Sequence, residues 1–262
     1  MHEIMRDRKF DPVRILKRLP LIPGSCRAIL SLRLYLGVLG DFLVFRKLSA
    51  RTSRPVFWKD RHVCLWDRTE KTGFDRHYVF HTAWAARVLV QTSPGRHVDI
   101  SSSLYFCSIV SAFIPMDFYD YRPAELNLSQ LSVRTANLLA LPFERESISS
   151  LSCMHVIEHI GLGRYGDQLD PDGDLKAIGE LKRVLAHGGN LLFVVPVGSS
   201  RTLFNAHRIY SYSQIMDYFS DLHLVEFSLI PEAPDQGGLI RNAPQHLADE
   251  QGYGCGCFWF RK

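Results

Sequence analysis

The stretch from Val98 to Tyr121, VDISSSLYFCSIVSAFIPMDFYDY, decides how this chain is read. Val98-Asp99-Ile100 is a short apolar run holding one acid, Ser101-Ser102-Ser103 supplies small polar residues for a turn, and Leu104 to Phe113 has the apolar content of a helix. Ile114 to Tyr119 then returns to strand character, so the segment is predicted as strand, turn, helix, strand. A helix that follows a strand this closely presents its unpaired amide groups at the carboxyl edge of a sheet, where polar or anionic groups bind. Asp120 ends the second strand, at the distance from Asp99 that suits a carboxylate accepting hydrogen bonds from ribose hydroxyls. No glycine occurs between Gly95 and Gly161, so the turn that is usually glycine-rich is here a serine turn.

The alternation continues outward from this unit. Upstream, Tyr78, His81, Ala85 and Val88-Leu89 recur at helical spacing between Asp75 and Thr92, and Pro94-Gly95 stops that helix. Downstream, strands are predicted at 132–139, 147–155, 190–197, 222–230 and 254–261, with helices at 174–186, closed by Gly188-Gly189, and 211–219. The run LLFVVPV has the composition of a strand buried on both faces of a parallel sheet. The expected fold is therefore α/β: a Rossmann-like, mainly parallel seven-stranded sheet completed by the C-terminal strand, with ligands outside the carboxyl ends of the strands.

With 262 residues, 46% of them hydrophobic and 22% charged, the chain can bury a full core and carry an appendage. Two parts are expected, a basic, partly helical N-terminal extension over 1–71 and the α/β domain over 72–262. Residues 1–60 hold thirteen Lys/Arg against five Asp/Glu, which exceeds the net charge of +4 of the whole chain. Such a segment suits contact with an anionic membrane, or else is a solvated basic face. Arg27, Arg33 and Asp41 interrupt the apolar residues between Leu21 and Phe45, so no spanning helix is expected there. The start lacks the features of a secretory signal, and the six cysteines have no CxxC spacing; cytoplasmic residence is expected, with peripheral contact at the inner membrane surface left open. A short strand at His62 to Trp66 is predicted in the connector.

Four blocks together support a resemblance: VDISSS, the acid at Asp120, TANLLALPFERESISSLSCMHVIEHI from Thr135, and ELKRVLAHGGNLLFVVPVG from Glu180. They resemble a class I S-adenosylmethionine-dependent methyltransferase of the small-molecule branch. The whole from Thr72-Gly73-Phe74-Asp75 through GLGRYGDQLDPDGDL to GCGCFWF resembles more closely an uncharacterised methyltransferase-like family, a domain of unknown function. The resemblance implies S-adenosyl-L-methionine as cofactor, with Asp99 and Ser101, Ser102 and Ser103 under its methionine part and Asp120 on the ribose. It further places Asn137, where an aspartate is common, against the adenine amino group, with Leu138 beside the ring and His155 near the methyl. Asn137 can accept that hydrogen bond only without charge assistance.

His207 and His159 are the candidate bases if the methyl acceptor is a hydroxyl, with His207 expected nearer the reacting group. A small molecule or a glycan is the expected acceptor. A non-catalytic methyltransferase-like assembly subunit and a nucleic-acid methyltransferase are the alternatives, and nucleic acid is disfavoured because no Asn/Asp-Pro-Pro-Tyr-type motif follows the fourth strand. No metal site is expected: the pair His155 and His159 in HVIEH departs from HExxH, and the acids at 167, 170, 172 and 174 lack the closing glutamate of a calcium loop. Asp174 is instead expected to cap the next helix.

Overall fold

In the computed structural model, which describes residues 24–262, the apolar run Leu191 to Val195 lies mid-sheet with each residue at most 1% exposed. The chain divides between Gly73 and Phe74 into two compact units. In the second unit a sheet of eight strands forms from β1 (His97–Ile100), β2 (Met116–Asp120), β3 (Leu131–Thr135), β4 (Ile148–Met154), β5 (Leu185–Val197), β8 (His223–Ile230), β9 (Ile240–Arg241) and β10 (Gly254–Arg261). Their order is β3-β2-β1-β4-β5-β10-β8-β9. Strands β3, β2, β1, β4 and β5 run parallel, and β10 enters antiparallel between β5 and β8. The order reverses between β1 and β4, and a crevice opens at the carboxyl ends of strands at such a point.

Period-two alternation along each strand assigns residues to the two faces. Val98 and Ile100, Leu191 and Phe193, and Phe258 and Phe260 meet the layer formed by α4 (Gly173–Val184), α5 (Tyr212–Tyr218) and α6 (Gln245–Asp249). Met154, Leu192, Val194, Cys257 and Trp259 meet α2 (Arg76–Thr92) and α3 (Leu104–Val110) on the opposite face. Each fully buried large apolar side chain contributes roughly 1.5–3 kcal/mol, and a strand sealed on both sides collects this from every residue. Asp75 caps α2 by accepting from the Tyr78 amide, and Trp84 donates its indole N–H to buried Glu226 on β8 at 2.9 Å, which fixes the helix on the sheet.

Several details differ from the sequence reading. The third strand ends at Thr135, because Asn137 and Ala140 close a turn. β5 starts at Leu185, directly after α4, and carries Gly188 at φ 72°; the glycine pair lies inside the strand's irregular start and not at a helix cap. The helix cap is Asp172, and Asp174 lies in the first turn, buried, where it accepts from the Tyr210 hydroxyl at 2.9 Å. A hairpin of β6 (Arg201–Leu203) and β7 (His207–Ile209) and the two-residue edge strand β9 had no alternating pattern long enough to read.

In the first unit, α1 (Gly24–Ser49) is one unbroken helix, roughly 39 Å long at 1.5 Å per residue. Its part from Ala28 to Ser49 has a mean hydropathy of 1.8 and is long and apolar enough to cross a membrane. The expectation against a spanning helix counted only uncharged runs, whereas Arg33 and Asp41 are accommodated without interrupting the helix. Trp58 packs edge-on against Phe42 at 4.8 Å and Tyr35 at 6.3 Å, and Asp41 pairs with Arg68 at 2.6 Å. His62 to Trp66 form no strand; a 3-10 turn at Trp58–Asp60 precedes them in the connector. The basic residues before position 24 lie outside the described residues.

Candidate active site

Ser101 and His155 are the residues that follow β1 and β4, and both have positive φ, 56° and 58°. An L-residue in this region costs of order 1–3 kcal/mol and persists where its surroundings fix it. At Ser101 the fixing bonds run from its amide and hydroxyl to the Tyr119 carbonyl, at 2.7 and 3.1 Å. At His155 the amide reaches the Val194 carbonyl at 2.8 Å and Nδ1 meets Glu158 Oε1 at 2.7 Å. Ser102 joins the two strand ends, its hydroxyl accepting from the Met154 amide at 3.0 Å. The serine turn thus adopts the backbone shape a glycine would, and its hydroxyls bind it to neighbouring strands.

These loops border a cavity of about 440 Å³ lined by Ser101, Ser102, Asp120, Asn137, Leu138, His155 and His159, with Tyr78 and Gly161 beside them. Asp120 holds the Arg122 amide through one carboxylate oxygen at 2.7 Å. Asn137 uses its carbonyl oxygen to accept from the Leu139 amide at 2.9 Å, so the acceptor expected to meet an adenine is already engaged in a turn. Gly161, at φ 79°, has the Asp170 carbonyl where a Cβ would stand, and only glycine fits there.

Three expected residues lie off the cavity wall. Asp99 is fully buried on the α3 side of the sheet, accepting from the Ser102 amide at 3.0 Å and from the Ser152 hydroxyl. Burial raises its pKa to about 6 against the opposing hydrogen bonds. His97, bonded to Ser150 and Ser152 at 2.7 and 2.8 Å, is pushed by burial down to about 3. Ser103 occupies the N-cap position of α3 without a capping hydrogen bond. His207 sits between His159 and Tyr253, with ring centres at 6.4 and 4.9 Å, and does not line the cavity. Of the two histidines, His159 reaches the cavity and His207 stands behind it. Burial lowers the pKa of both.

Around His155 the structure assembles groups that no sequence motif connected. His77, in the first turn of α2, stacks on His155 at 5.2 Å and on Tyr253 at 5.0 Å. Burial, then the charge of His155, lowers the His77 pKa to about 4. Cys255, on β10, lies with Sγ 3.3 Å from His155 Nε2, and burial raises its thiol pKa well above the ordinary value. Burial alone would raise the pKa of Glu158, but the charge and hydrogen bond of His155, with His159, turn the net shift downward. The acids at 167, 170 and 172 are absorbed by the loop: Asp167 accepts from the amides of Gly161, Gly163 and Tyr165, and Asp170 pairs with Lys176 at 2.6 Å.

Residues 143–229, a third of the chain, match the family described as Caenorhabditis protein of unknown function, DUF268. Among solved structures, the N-methyltransferase NodS from Bradyrhizobium japonicum WM9, in complex with S-adenosyl-L-homocysteine, aligns at TM-score 0.49 and 14% identity, over 69% of this chain and 85% of that one. The YcgJ protein from Bacillus subtilis aligns at 0.47 and 14%, over 69% and 99%. A TehB-like SAM-dependent methyltransferase from Corynebacterium glutamicum ATCC 13032 aligns at 0.44 and 14%, over 68% and 86%. The fold is a Rossmann-like, mainly parallel α/β sheet. Comparison with curated proteins finds no match.

Proposed function

We propose that this chain is an S-adenosylmethionine-dependent methyltransferase that acts on a small molecule or glycan. The observation that carries the proposal is the cavity at the strand-order reversal, where Ser101, Ser102, Asp120, Asn137 and Leu138 line one side and His155 and His159 the other. The residues fit the cofactor in two respects. A carboxylate ends β2 on the cavity wall, where it can take hydrogen bonds from ribose hydroxyls. Ser101 has the left-handed shape that lets backbone approach a ligand closely, so serine in place of glycine does not close the turn. Asn137 fits less well, since its carbonyl already accepts from Leu139 and brings no charge.

The bound cofactor would supply an electrophilic methyl group on a sulfonium. The chain's own part is to hold donor and acceptor in line, and such positioning alone supplies a large share of the rate. His159 is held by its Nδ1 against the Ala206 carbonyl at 2.7 Å, which fixes the ring and assigns that nitrogen the proton. The opposite nitrogen is then the one able to take a proton from an acceptor hydroxyl. Tyr78, Tyr165 and Ile160 line the same cavity and add apolar surface to it. Titrating the protein with S-adenosylmethionine and S-adenosylhomocysteine by calorimetry tests the reading: binding at one site per chain supports it, and no heat with a folded protein overturns it.

Membrane contact belongs to the same proposal. Ile29, Leu32, Leu36, Leu43, Val44, Phe45 and Leu48 are each more than half exposed and are spread around α1, while Trp58 covers Tyr35 and Phe42. With Arg46 and Lys47 in its last turn, the helix suits an anionic lipid surface.

A further inference from the structure

We propose that His77, His155 and Cys255 are the ligands of a zinc-class divalent ion, bound at the wall of the same cavity with one coordination position left for water or for the acceptor. One nitrogen of each histidine and Cys255 Sγ lie within 4.8 Å of one another. A tetrahedral zinc, with bonds of roughly 2.0 Å to nitrogen and 2.3 Å to sulfur, needs donor separations of about 3.3–3.6 Å. His155 Nε2 and Cys255 Sγ already stand 3.3 Å apart, so only His77 has to close in, by a rotation of a first-turn helix side chain. Two imidazoles and a thiolate form a set that favours zinc and other borderline-soft ions over magnesium or calcium. Three protein ligands with a fourth position open is the pattern of catalytic zinc sites, whereas structural sites fill all four.

The surroundings of the cluster point to a cation independently of the three ligands. His155 itself takes the left-handed conformation directly after β4, and its Nδ1 is held by buried Glu158 at 2.7 Å, which turns Nε2 toward Cys255. A carboxylate bonded to the far nitrogen of a ligating histidine is the usual support of a metal-bound imidazole. Glu158 is 1% exposed, its second oxygen has no hydrogen-bond partner, and among the described residues its ion pairs are with imidazoles alone. A buried carboxylate with so little compensation is costly, and a dication one imidazole away supplies the missing positive charge. The site adjoins the cavity because His155 lines both.

The role of the open position in holding an acceptor rests on the methyltransferase reading; metal binding itself does not. The test strips the full-length protein with a chelator, then titrates it with Zn²⁺ against a chromophoric competitor and, separately, with Co²⁺. The expected result is one Zn²⁺ per chain, and with Co²⁺ the strong visible bands of a four-coordinate ion plus a near-ultraviolet thiolate charge-transfer band. Cys255→Ser should abolish that band, His77→Ala and His155→Ala should weaken zinc at least tenfold, and Cys257→Ser, in the same strand, should leave the band in place. Absence of zinc binding by the unaltered folded chain, a pale six-coordinate cobalt spectrum, or a charge-transfer band that survives Cys255→Ser would overturn the site. S-adenosylhomocysteine binding measured on the same stripped protein separates the two proposals: zinc failure with retained binding refutes only the metal site, and the reverse refutes only the cofactor reading.

Discussion

Ser101 and His155 share one backbone conformation, φ 56° and 58°, at the ends of the neighbouring parallel strands β1 and β4. Both are bordered by the cavity, and both are held by hydrogen bonds to an adjacent strand. Ser101→Gly relieves strain of about 1–3 kcal/mol, while losing the hydroxyl bond to Tyr119 and adding freedom to the unfolded chain cost about 1 kcal/mol each, so the terms largely cancel. Its thermal midpoint and S-adenosylhomocysteine affinity should stay near those of the parent. Ser101→Val forces a β-branched residue into the same region and should lower stability by about 2 kcal/mol or more. Equal urea midpoints for the two variants would contradict the assigned strain.

Asp120→Ala should weaken S-adenosylhomocysteine binding at least tenfold, because hydrogen bonds to a charged carboxylate are worth about 1.5–3 kcal/mol. Asn137→Asp should bind equally or more tightly, since a carboxylate keeps the bond from the Leu139 amide and adds charge toward a donor. Calorimetry on both variants checks this. An unchanged affinity in folded Asp120→Ala removes the carboxylate from the cofactor site.

His97 gives the stability curve a definite sign. Its native pKa is about 3, below the ordinary 6.5, so between those values the unfolded chain binds a proton that the native state does not, and stability rises with pH. The ceiling of this effect is on the order of 5 kcal/mol at about 1.36 kcal/mol per pH unit. Asp99 opposes it: raised to about 6, it keeps a proton that the unfolded chain releases, so its contribution falls as pH rises from 3.8 to 6. His97→Gln should therefore become progressively less stable than the parent as pH goes from 4 to 6.5. Parallel urea midpoints across that range would show that His97 does not titrate as described.

The fold was legible because the sheet writes itself into local pattern. The doubly apolar Leu191 to Val195, the strand-turn-helix at Val98 to Val110 and the C-terminal strand all needed only neighbours in sequence. Asp120 and His155 could be placed near one edge for the same reason, since one ends β2 and the other follows β4, and strand ends in a parallel sheet share one edge; Asn137, in the turn after β3, came only from the resemblance. His77, Glu158 and Cys255 could not be joined by reading, since a helix start, a post-strand turn and the last strand meet only when β10 inserts beside β5. The position of His207 could not be read because the hairpin β6-β7 that carries it comes from two three-residue strands, too short to show a period, and this hairpin sets it behind His159.

The exposed apolar residues of α1 carry a separate expectation. If Ile29, Leu32, Leu36 and Leu43 enter lipid, the protein should float with anionic vesicles at low salt and retain part of that binding at high salt, where attraction through Arg46 and Lys47 is screened. Leu32→Glu with Leu36→Glu should abolish the salt-resistant fraction. Binding lost completely at high salt would leave only an electrostatic contact, and no binding at low salt would leave a solvated basic face.

His159, not His207, should be the histidine on which turnover depends if the acceptor is a hydroxyl. His159 lines the cavity and its Nδ1 is anchored on the Ala206 carbonyl at 2.7 Å, which gives the ring one orientation in which to work. His207 reaches the cavity only through His159, its ring centre 6.4 Å away and its other side packed on Tyr253. Replacing His159 by asparagine removes the proton acceptor beside the substrate and should cost about 10²–10⁴ in kcat at saturating cofactor. His207→Asn takes away a ring that steadies His159, and it should cost far less in kcat while leaving cofactor affinity unchanged. The measurement is single-turnover methyl transfer by both variants with the acceptor identified. A crippled His207→Asn beside a near-normal His159→Asn would invert the assignment, and two near-normal variants would mean that the acceptor arrives already unprotonated and that positioning carries the reaction.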